Sequence, residues 1–209
     1  MLSIDANRCA VLAVDMQNDF CHPDGHYGRG GADVSQFLAT VGPVGRLCST
    51  AREAGATIVF TRLVYDPALG AIEDRHAIKP RNWIPRGQRL QPGSWGAAIV
   101  DALAPAPTDI LIDKPGYSAF EATDLAKILR QRRITTVVLC GVVTYACVLA
   151  TAFAAFDKGF DVVFATDAVG SWNDELGDAA FRIVDLLMGQ SIASTEINFT
   201  IEGKRTALG

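Results

Sequence analysis

The stretch "TVVLCGVVTYACVLATAF" (136–153) decides the fold, because two different periodicities meet in it. Its first half is an uninterrupted apolar run rich in valine, which is typical of a strand covered on both faces. Its second half has the apolar spacing of a helix. Further runs of the strand type stand elsewhere in the chain, at 9–15, 57–61, 109–113 and 161–166. The chain therefore repeats one type of strand.

Longer stretches with helical spacing separate or follow these runs, at 34–54, 122–132, 144–158 and 175–188. Strands that alternate with helices form βαβ units, whose strands are parallel and whose crossovers are right-handed. The sequence therefore predicts an α/β protein with three α/β/α layers, in which helices cover both faces of a doubly wound, mainly parallel sheet. In such sheets the ligand crevice lies beyond the carboxyl ends of the strands.

The 209 residues suit one domain, and no linker rich in proline, glycine or serine divides them. We therefore predict a single domain over 1–209. Residues 62–96 interrupt the alternation, since proline and glycine occur throughout this segment and it has little periodicity. Irregular segments of this length commonly cover or line a site. We expect 62–96 to be a lid or an arm between the subunits of an oligomer.

The net charge of −4 and the scattered lysines and arginines give no basic patch for nucleic acid. The apolar runs fall short of the roughly 18 residues that a membrane span needs. The N-terminal "MLSIDANR" has neither the basic region nor the long apolar region of a secretion signal. We therefore expect a cytoplasmic protein that acts on a small molecule, binds neither nucleic acid nor membrane, and assembles as a homo-oligomer, a dimer or a tetramer.

The cysteines are odd in number and lack CxxC spacing, and a chain of this size needs no disulfides. They are Cys9, Cys21, Cys48, Cys140 and Cys147. We expect reduced thiols. The histidines, His22, His26 and His76, do not have the spacing of zinc ligands. The sequence therefore predicts neither a metal nor another cofactor.

Three polar side chains follow strands of the predicted sheet at their carboxyl ends: Asp15, Lys114 and Cys147. At the start of a helix the pKa of a thiol is lowered toward neutrality, which favours the nucleophilic thiolate. Asp15 can then accept the thiol proton, and Lys114 can hold that carboxylate ionised. The backbone N–H groups of Val143 and Cys147 are candidate donors to an oxyanion. By spacing alone, however, Cys147 is also consistent with a small buried apolar side chain and Lys114 with a solvated loop residue.

Three blocks of the chain resemble, in order and spacing, the signature blocks of the isochorismatase-like cysteine hydrolase superfamily. They are "AVLAVDMQNDF" (10–20), "DKPGYSAFEATDL" (113–125) and "GVVTYACVLATAFAAFDKGFDVVFATDAV" (141–169). The resemblance implies an isochorismatase-like α/β fold. It places the general acid/base of the family on Asp15, its lysine on Lys114 and its nucleophile on Cys147. It also implies a cis peptide bond between Val142 and Val143.

Within the superfamily, the chain is most similar to amidases of small ureido or carbamoyl compounds, such as biuret hydrolase and N-carbamoylsarcosine amidase. Members that cleave the vinyl ether of isochorismate often lack the cysteine, so Cys147 favours hydrolysis of a C–N bond through a thioester. Nicotinamidases usually bind a metal through an Asp-x-His…His segment, whereas here only His76 follows Asp66. A vinyl-ether hydrolase, a nicotinamidase-like amidase and a non-catalytic scaffold remain the alternative interpretations.

Candidate substrate-binding residues follow from their positions beside the catalytic strand ends. The aromatic ones are Phe20, Tyr117, Phe120, Tyr145 and Trp172. Candidates for a bidentate contact with a substrate carboxylate are Arg62, Arg81 and Arg86. Each aromatic residue can equally serve in packing, and each arginine can equally be a solvated surface residue.

Overall fold

A parallel β-sheet forms the middle layer of the structure, a computed structural model that describes residues 1–66 and 89–201. In chain order, the strands of the described residues are β1 (Leu2–Asp5), β2 (Cys9–Val14), β3 (Thr57–Leu63), β4 (Ile110–Lys114), β5 (Thr136–Val142), β6 (Asp161–Gly170), β7 (Gly189–Ile192) and β8 (Ile197–Thr200). The main sheet has the order β4-β3-β2-β5-β6-β7, and every pair of neighbours is parallel. β1 and β8 form a separate two-stranded parallel sheet.

Helices connect the strands of the main sheet. In the described residues they are α1 (Asn18–Cys21), α2 (His26–Arg29), α3 (Ser35–Glu53), α4 (Leu125–Gln131), α5 (Leu149–Asp157) and α6 (Asp174–Leu187). A π-helical turn, Thr144–Val148, directly precedes α5. The predicted helices 34–54, 122–132 and 175–188 are confirmed to within a few residues, whereas the predicted helix 144–158 begins with the π-helical turn.

The chain winds outward from the middle of the main sheet in both directions. From β2 it proceeds through α3 to β3, and from β5 it proceeds through α5 to β6 and through α6 to β7. Because the crossovers of parallel strands are right-handed, opposite directions of winding put the helices on opposite faces. α3 accordingly packs on one face, and α4, α5 and α6 pack on the other. The predicted three-layer, doubly wound α/β fold is confirmed, and its winding reverses between β2 and β5, where the crevice of such sheets lies.

Apolar side chains on both faces of the sheet hold the layers together. Along β2, Val11 and Ala13 belong to the cluster beneath α3, whereas Leu12 and Val14 belong to the cluster beneath the opposite helices. This division follows the two-residue period of a strand. All four residues are fully buried, and each buried valine or leucine side chain contributes about 1.5–3 kcal/mol to the free energy of folding. Because helices cover both faces of the sheet, every residue of β2 packs against apolar side chains, which explains the uninterrupted apolar sequence of the strand.

Several elements lie outside what the sequence patterns predict. β1, β7 and β8 are four-residue strands of mostly intermediate burial, and they lack the long apolar run of a central strand. Of the predicted irregular segment 62–96, Arg62 and Leu63 belong to β3, and residues 67–88 lie outside the described residues. No helix within 1–66 or 89–201 is long and apolar enough to cross a membrane.

Gly141, in β5, allows a close approach between β5 and the end of β2. Its φ of 104° lies in a region that L-residues rarely adopt, and a Cβ atom there would lie 2.1 Å from the carbonyl oxygen of Val14. The register of β5 against β6 also shifts between Leu139 and Gly141. Glycine at this position therefore sets the spacing between two strand ends, the one before Asp15 and the one before the π-helical turn.

Gly141→Ala is expected to destabilise the protein by about 2–5 kcal/mol, because it adds overpacking against Val14 to the cost of a positive φ. Gly159→Ala is the matched control, since Gly159 has a φ of 83° and a Cβ atom there would meet none of the described atoms within 4 Å. That variant should lose only about 1–2 kcal/mol. Urea unfolding measures both free energies, and equal losses would contradict the close contact.

Candidate active site

Asp15 directly follows β2 and is completely buried. Its φ of 52° lies in the left-handed region, which aspartate tolerates better than most residues. The neighbouring strand holds it there: the N–H of Asp15 donates to the backbone oxygen of Thr61 (3.1 Å), and Thr61 Oγ1 donates to Asp15 Oδ1 (2.8 Å). The end of β3 therefore fixes both the backbone and the carboxylate of Asp15.

Lys114 ends β4, two strands away from β2, and its side chain reaches back to Asp15. Nζ lies 2.7 Å from Asp15 Oδ2 and donates to the carbonyl oxygen of Gly116 at 2.8 Å. Both charged side chains are inaccessible to solvent. Burial by itself lowers the pKa of Lys114, but the neighbouring Asp15 and Cys147 groups together outweigh burial and raise that pKa above the ordinary value of a lysine. Lys114 is therefore a fixed, buried cation.

Cys147 lies in the π-helical turn after β5 and completes the cluster. Its thiol lies close enough to the Asp15 carboxylate and the Lys114 ammonium group for both charges to act on its pKa. Two threonines fix the turn, since Thr144 Oγ1 donates to the last carbonyl oxygen of β6 and Thr151 Oγ1 donates to the carbonyl oxygen of Cys147, each at 2.7 Å. The structure thus brings the three predicted side chains together, and their chemical roles remain a proposal.

The predicted lowering of the Cys147 pKa is wrong. Burial raises the pKa of this thiol to about 12; the Lys114 cation acts in the lowering direction, and the Asp15 anion adds to the rise. Cys147 is only 3% exposed, and it lies in a π-helical turn and not in the first turn of an α-helix. At neutral pH the resting group is therefore a thiol, so nucleophilic attack requires simultaneous loss of its proton.

The turn between β5 and α5 contains the cis peptide bond that the resemblance implies, between Val142 and Val143. The Val143 carbonyl oxygen accepts hydrogen bonds from the N–H groups of Ala146 (3.0 Å) and Val148 (3.2 Å), which close the π-helical turn. The predicted oxyanion donors are the N–H groups of Val143 and Cys147. Both belong to this turn or its cap, and their assignment as donors stays a prediction.

Three of the predicted aromatic residues lie on one apolar cluster beside the site. Phe20 stacks against Tyr27 with ring centroids 5.2 Å apart, and the Tyr27 ring lies 4.9 Å from that of Trp172. Tyr145, in the π-helical turn, packs against the same cluster. Tyr117 is 52% exposed. The structure thus adds Tyr27 to the candidates for an aromatic wall of the site.

The ring of Phe120 packs in the core, and its role as a substrate-binding residue stays a prediction. Its ring stacks against Phe160 with centroids 5.8 Å apart, and Lys158 Nζ lies 5.9 Å from its centroid. Phe160 immediately precedes β6, at the amino end of the strand and therefore at the end of the sheet opposite to the site. Phe120 is 7% exposed and belongs to the core.

Arg62 is already paired with a carboxylate of this chain. Its Nε and Nη2 donate to Asp113 at 2.6 Å and 2.8 Å, so the guanidinium edge that would bind a substrate carboxylate is occupied. The prediction of Arg62 as a ligand of the substrate is therefore wrong. The other two candidates, Arg81 and Arg86, lie outside the described residues.

Thr61 and Gln17 position the cluster, and sequence reasoning missed both. Gln17 Nε2 donates to the carbonyl oxygens of Leu63 (3.0 Å) and Ala97 (2.9 Å), and Gln17 Oε1 accepts from Leu63 N–H (2.8 Å). This fully buried amide ties the segment after β2 to the end of β3. A polar side chain at the carboxyl end of an apolar run is the signal that identifies Asp15, and the same signal identifies Thr61.

Within 1–66 and 89–201, no group of three His, Cys, Asp or Glu side chains could hold a metal ion. Of the segment compared with the metal ligands of nicotinamidases, Asp66 is described and His76 lies outside the described residues. The expectation that the protein needs no metal therefore stays a prediction.

The alkylation rate of Cys147 by iodoacetamide should keep rising with pH well beyond about 8.5, the ordinary pKa of a cysteine, because the buried thiol stays protonated. Asp15→Asn removes an anion, so it should lower the thiol pKa and speed alkylation. Lys114→Met removes a cation, so it should raise the pKa and slow alkylation. Mass spectrometry of the labelled peptide measures the rates, with Cys9 as the internal control. A wild-type midpoint below about 8.5 would contradict the structure.

Comparison with known proteins assigns the family. The model of the isochorismatase domain matches residues 9–196. The ureidoacrylate amidohydrolase RutB of Azorhizobium caulinodans is 33% identical over 80% of this chain and 78% of its own, and that of Methylobacterium radiotolerans is 32% identical over 90% and 77%. The crystal structure of N-carbamoylsarcosine amidase from Thermoplasma acidophilum matches with a TM-score of 0.70 and 28% identity, over 91% of this chain and 98% of that one. The chain therefore belongs to the isochorismatase family, as its three sequence blocks predict.

Proposed function

We propose that the protein is a cysteine-dependent amidohydrolase that cleaves a C–N bond of a small ureido or carbamoyl compound. The observation that carries this proposal is that the Cys147 thiol lies beside the buried Asp15–Lys114 ion pair, at the edge of the sheet where ligands bind. These groups supply a nucleophile, a proton acceptor and a fixed cation. The similarity to ureidoacrylate amidohydrolases and to N-carbamoylsarcosine amidase supports the class of substrate.

The first half of the proposed reaction forms a thioester. Cys147 Sγ attacks the carbonyl carbon of the substrate while the thiol proton passes to Asp15, so a C–S bond forms and the carbonyl oxygen becomes an oxyanion. The N–H groups of Val143 and Cys147 donate to that oxyanion, and one such donor typically lowers the barrier by about 2.7–4 kcal/mol. Asp15 then gives the proton to the leaving nitrogen, the C–N bond breaks, and ammonia or an amine departs.

The second half hydrolyses the thioester. Asp15, again a carboxylate, accepts a proton from a water molecule whose oxygen attacks the thioester carbonyl. The C–S bond breaks, the proton returns to sulfur, and the acid product leaves. Lys114, 2.7 Å from Asp15, supplies a fixed positive charge beside the carboxylate that accepts the proton in each half of the reaction.

Other parts of the proposal rest on the sequence. We propose that residues 1–209 form one domain, that the protein assembles as a homo-oligomer, and that it acts in the cytoplasm without a cofactor. Size-exclusion chromatography with light scattering measures the oligomeric state, since a dimer or a tetramer has a multiple of the mass of one 22.3 kDa chain.

Cys147→Ser should reduce the release of ammonia from a panel of ureido and carbamoyl compounds to the background rate, because the thiol is the proposed nucleophile. Cys9→Ala is the control, since it removes another buried thiol from the amino end of β2 and should leave turnover unchanged. Undiminished turnover by Cys147→Ser would refute the nucleophile. Hydrolysis of a vinyl ether by a Cys147→Ala variant would instead support the isochorismatase-type alternative.

Thr61→Val should lower kcat/KM about 10- to 100-fold, because a hydrogen bond to a charged group contributes about 1.5–3 kcal/mol. The lost bond is the one that Thr61 Oγ1 donates to Asp15 Oδ1. Thr61→Ser keeps the hydroxyl group and should recover most of the activity. Steady-state kinetics measure both variants, and equal activity of the valine and serine variants would show that the hydroxyl does not position the carboxylate.

A further inference from the structure

Arg89 is a buried cation at the same edge of the sheet as the candidate site. It is 8% exposed, and the residue after it ties this segment to two neighbouring elements. The Leu90 carbonyl oxygen accepts from the N–H of Tyr65 (3.1 Å), and the Leu90 N–H donates to Asp19 Oδ2 (2.7 Å). Tyr65 stands two residues after the end of β3, where β3 pairs with Lys114. The backbone of Arg89 is therefore held beside the strand ends that carry the proposed catalytic groups.

Two tyrosines hold the guanidinium group of Arg89. Nη1 donates to the hydroxyl of Tyr27, and Nη2 donates to the hydroxyl of Tyr65 at 3.2 Å. The guanidinium carbon lies 5.4 Å and 5.3 Å from the centroids of the same two rings, within the range of cation–π attraction. Nε is buried and has no hydrogen-bond partner among the described residues. Arg89 is thus a positioned arginine with an unused donor.

The unused donor belongs to the edge that other arginines of this chain present to carboxylates. Arg52 pairs with Asp109 through Nε (3.1 Å) and Nη2 (2.6 Å), and Arg62 pairs with Asp113 through the same two atoms. Arg89 makes no such pair with a carboxylate in the described part of the chain. Burial of a cation without a counter-ion is costly, so the site favours an anionic ligand.

Asp19 is close to this segment but does not neutralise Arg89. It lines a cavity of about 160 Å³ together with Arg89. Both of its carboxylate oxygens accept hydrogen bonds from backbone N–H groups. Oδ1 accepts from the N–H of His26 (2.9 Å), and Oδ2 accepts from the N–H of Leu90 (2.7 Å). Arg29 lines the same cavity and is exposed, so it offers a matched arginine for comparison.

Aromatic rings extend from Arg89 to Trp172, which follows the carboxyl end of β6. Tyr27, which contacts Arg89, also stacks on Phe20 and lies 4.9 Å from Trp172. Trp172 Nε1 is a second buried donor that lacks a partner in 1–66 and 89–201. Tyr145, within the π-helical turn, packs against the same apolar cluster. A run of aromatic rings, Phe20, Tyr27 and Trp172, therefore lies beside Arg89, and two buried donors in this region are unused.

We infer that Arg89 binds the carboxylate of an acidic substrate, a ureido or carbamoyl acid, through its Nε and Nη2 edge. The inference rests on the proposed function, since it specifies the end of the substrate remote from the scissile C–N bond. Bidentate pairs between arginine and carboxylate are directional and stronger than hydrogen bonds between neutral groups. Arg89 is accordingly a residue that determines specificity and takes no part in bond breaking.

Pairs of probes that differ in one charged group test this inference. The acids are N-carbamoylglycine, N-carbamoyl-β-alanine and 4-ureidobutyrate, and their neutral partners are ethylurea, propylurea and butylurea. The wild-type enzyme should favour at least one acid over its partner by about 10- to 100-fold in kcat/KM, mainly through KM. Arg89→Met should abolish that preference, so that the acid and its neutral partner have similar kcat/KM values. Arg89→Lys should keep part of the preference, and Arg29→Met should keep all of it.

Calorimetric binding of the same probes to a Cys147→Ala protein separates this inference from the proposed function. If the wild-type enzyme releases no ammonia from any probe, the amidohydrolase proposal fails. The role of Arg89 still stands if Arg89→Met, introduced into the Cys147→Ala protein, weakens the binding of an acid about 10- to 100-fold. No preference for the acid in any pair overturns the inference, and so does a preference that survives Arg89→Met. Circular dichroism checks that the variants fold, and Arg89→Lys carries the comparison if Arg89→Met does not.

Discussion

The ion pair between Lys114 and Asp15 constrains the rest of the site. Both side chains are inaccessible to solvent, so close contact and further hydrogen bonds must offset the hydration that the two charges have lost. The 2.7 Å contact, the Thr61 hydroxyl and the Gly116 carbonyl oxygen provide this compensation. These groups stand at or just beyond the carboxyl ends of β2, β3 and β4, so the pair forms only where three parallel strands are in register. Removing one partner of such a pair typically costs about 3–5 kcal/mol, so the same interaction stabilises the fold and shapes the site.

The ion pair also explains why a protonated, buried thiol suits the proposed chemistry. A resting thiolate beside Asp15 would place a second anion in a cavity that holds one cation. With the thiol protonated, one negative charge on Asp15 faces one positive charge on Lys114. When the proton of Cys147 passes to Asp15, the negative charge moves toward the substrate oxygen and the net charge of the cluster stays the same. The proposed reaction thus moves charge within the cluster and creates none, which matters because Coulomb energies are large where water is absent.

Sequence reasoning reaches those parts of the molecule that local patterns determine. Apolar runs of strand length mark strands covered on both faces, and a polar residue at the end of such a run marks the site, as at Asp15 and Lys114. The burial of a side chain and the path of a loop depend on residues that are distant in the sequence, so local patterns do not predict them. The pKa of Cys147 rises because burial outweighs the lowering effect of the Lys114 cation, and the ring of Phe120 packs against Phe160 in the core. Arg89 lies in a stretch without periodicity, and only its hydrogen bonds to Tyr27 and Tyr65 distinguish it from a surface arginine.

Different physical constraints hold the reacting groups and the groups proposed for recognition. The reacting groups come from the ends of β2 and β4 and from the turn after β5, whose relative positions are set by the hydrogen-bonded register of the sheet. Tyr27, Arg89 and Trp172 come from segments that connect the strands, and such segments can vary without a change of register. One reaction can therefore be kept within a family while the substrate changes. In this chain the connecting segments hold a buried cation between two tyrosines. Under the proposed roles, the identity of the substrate depends on how that charge is balanced, whereas the geometry of attack depends on the sheet.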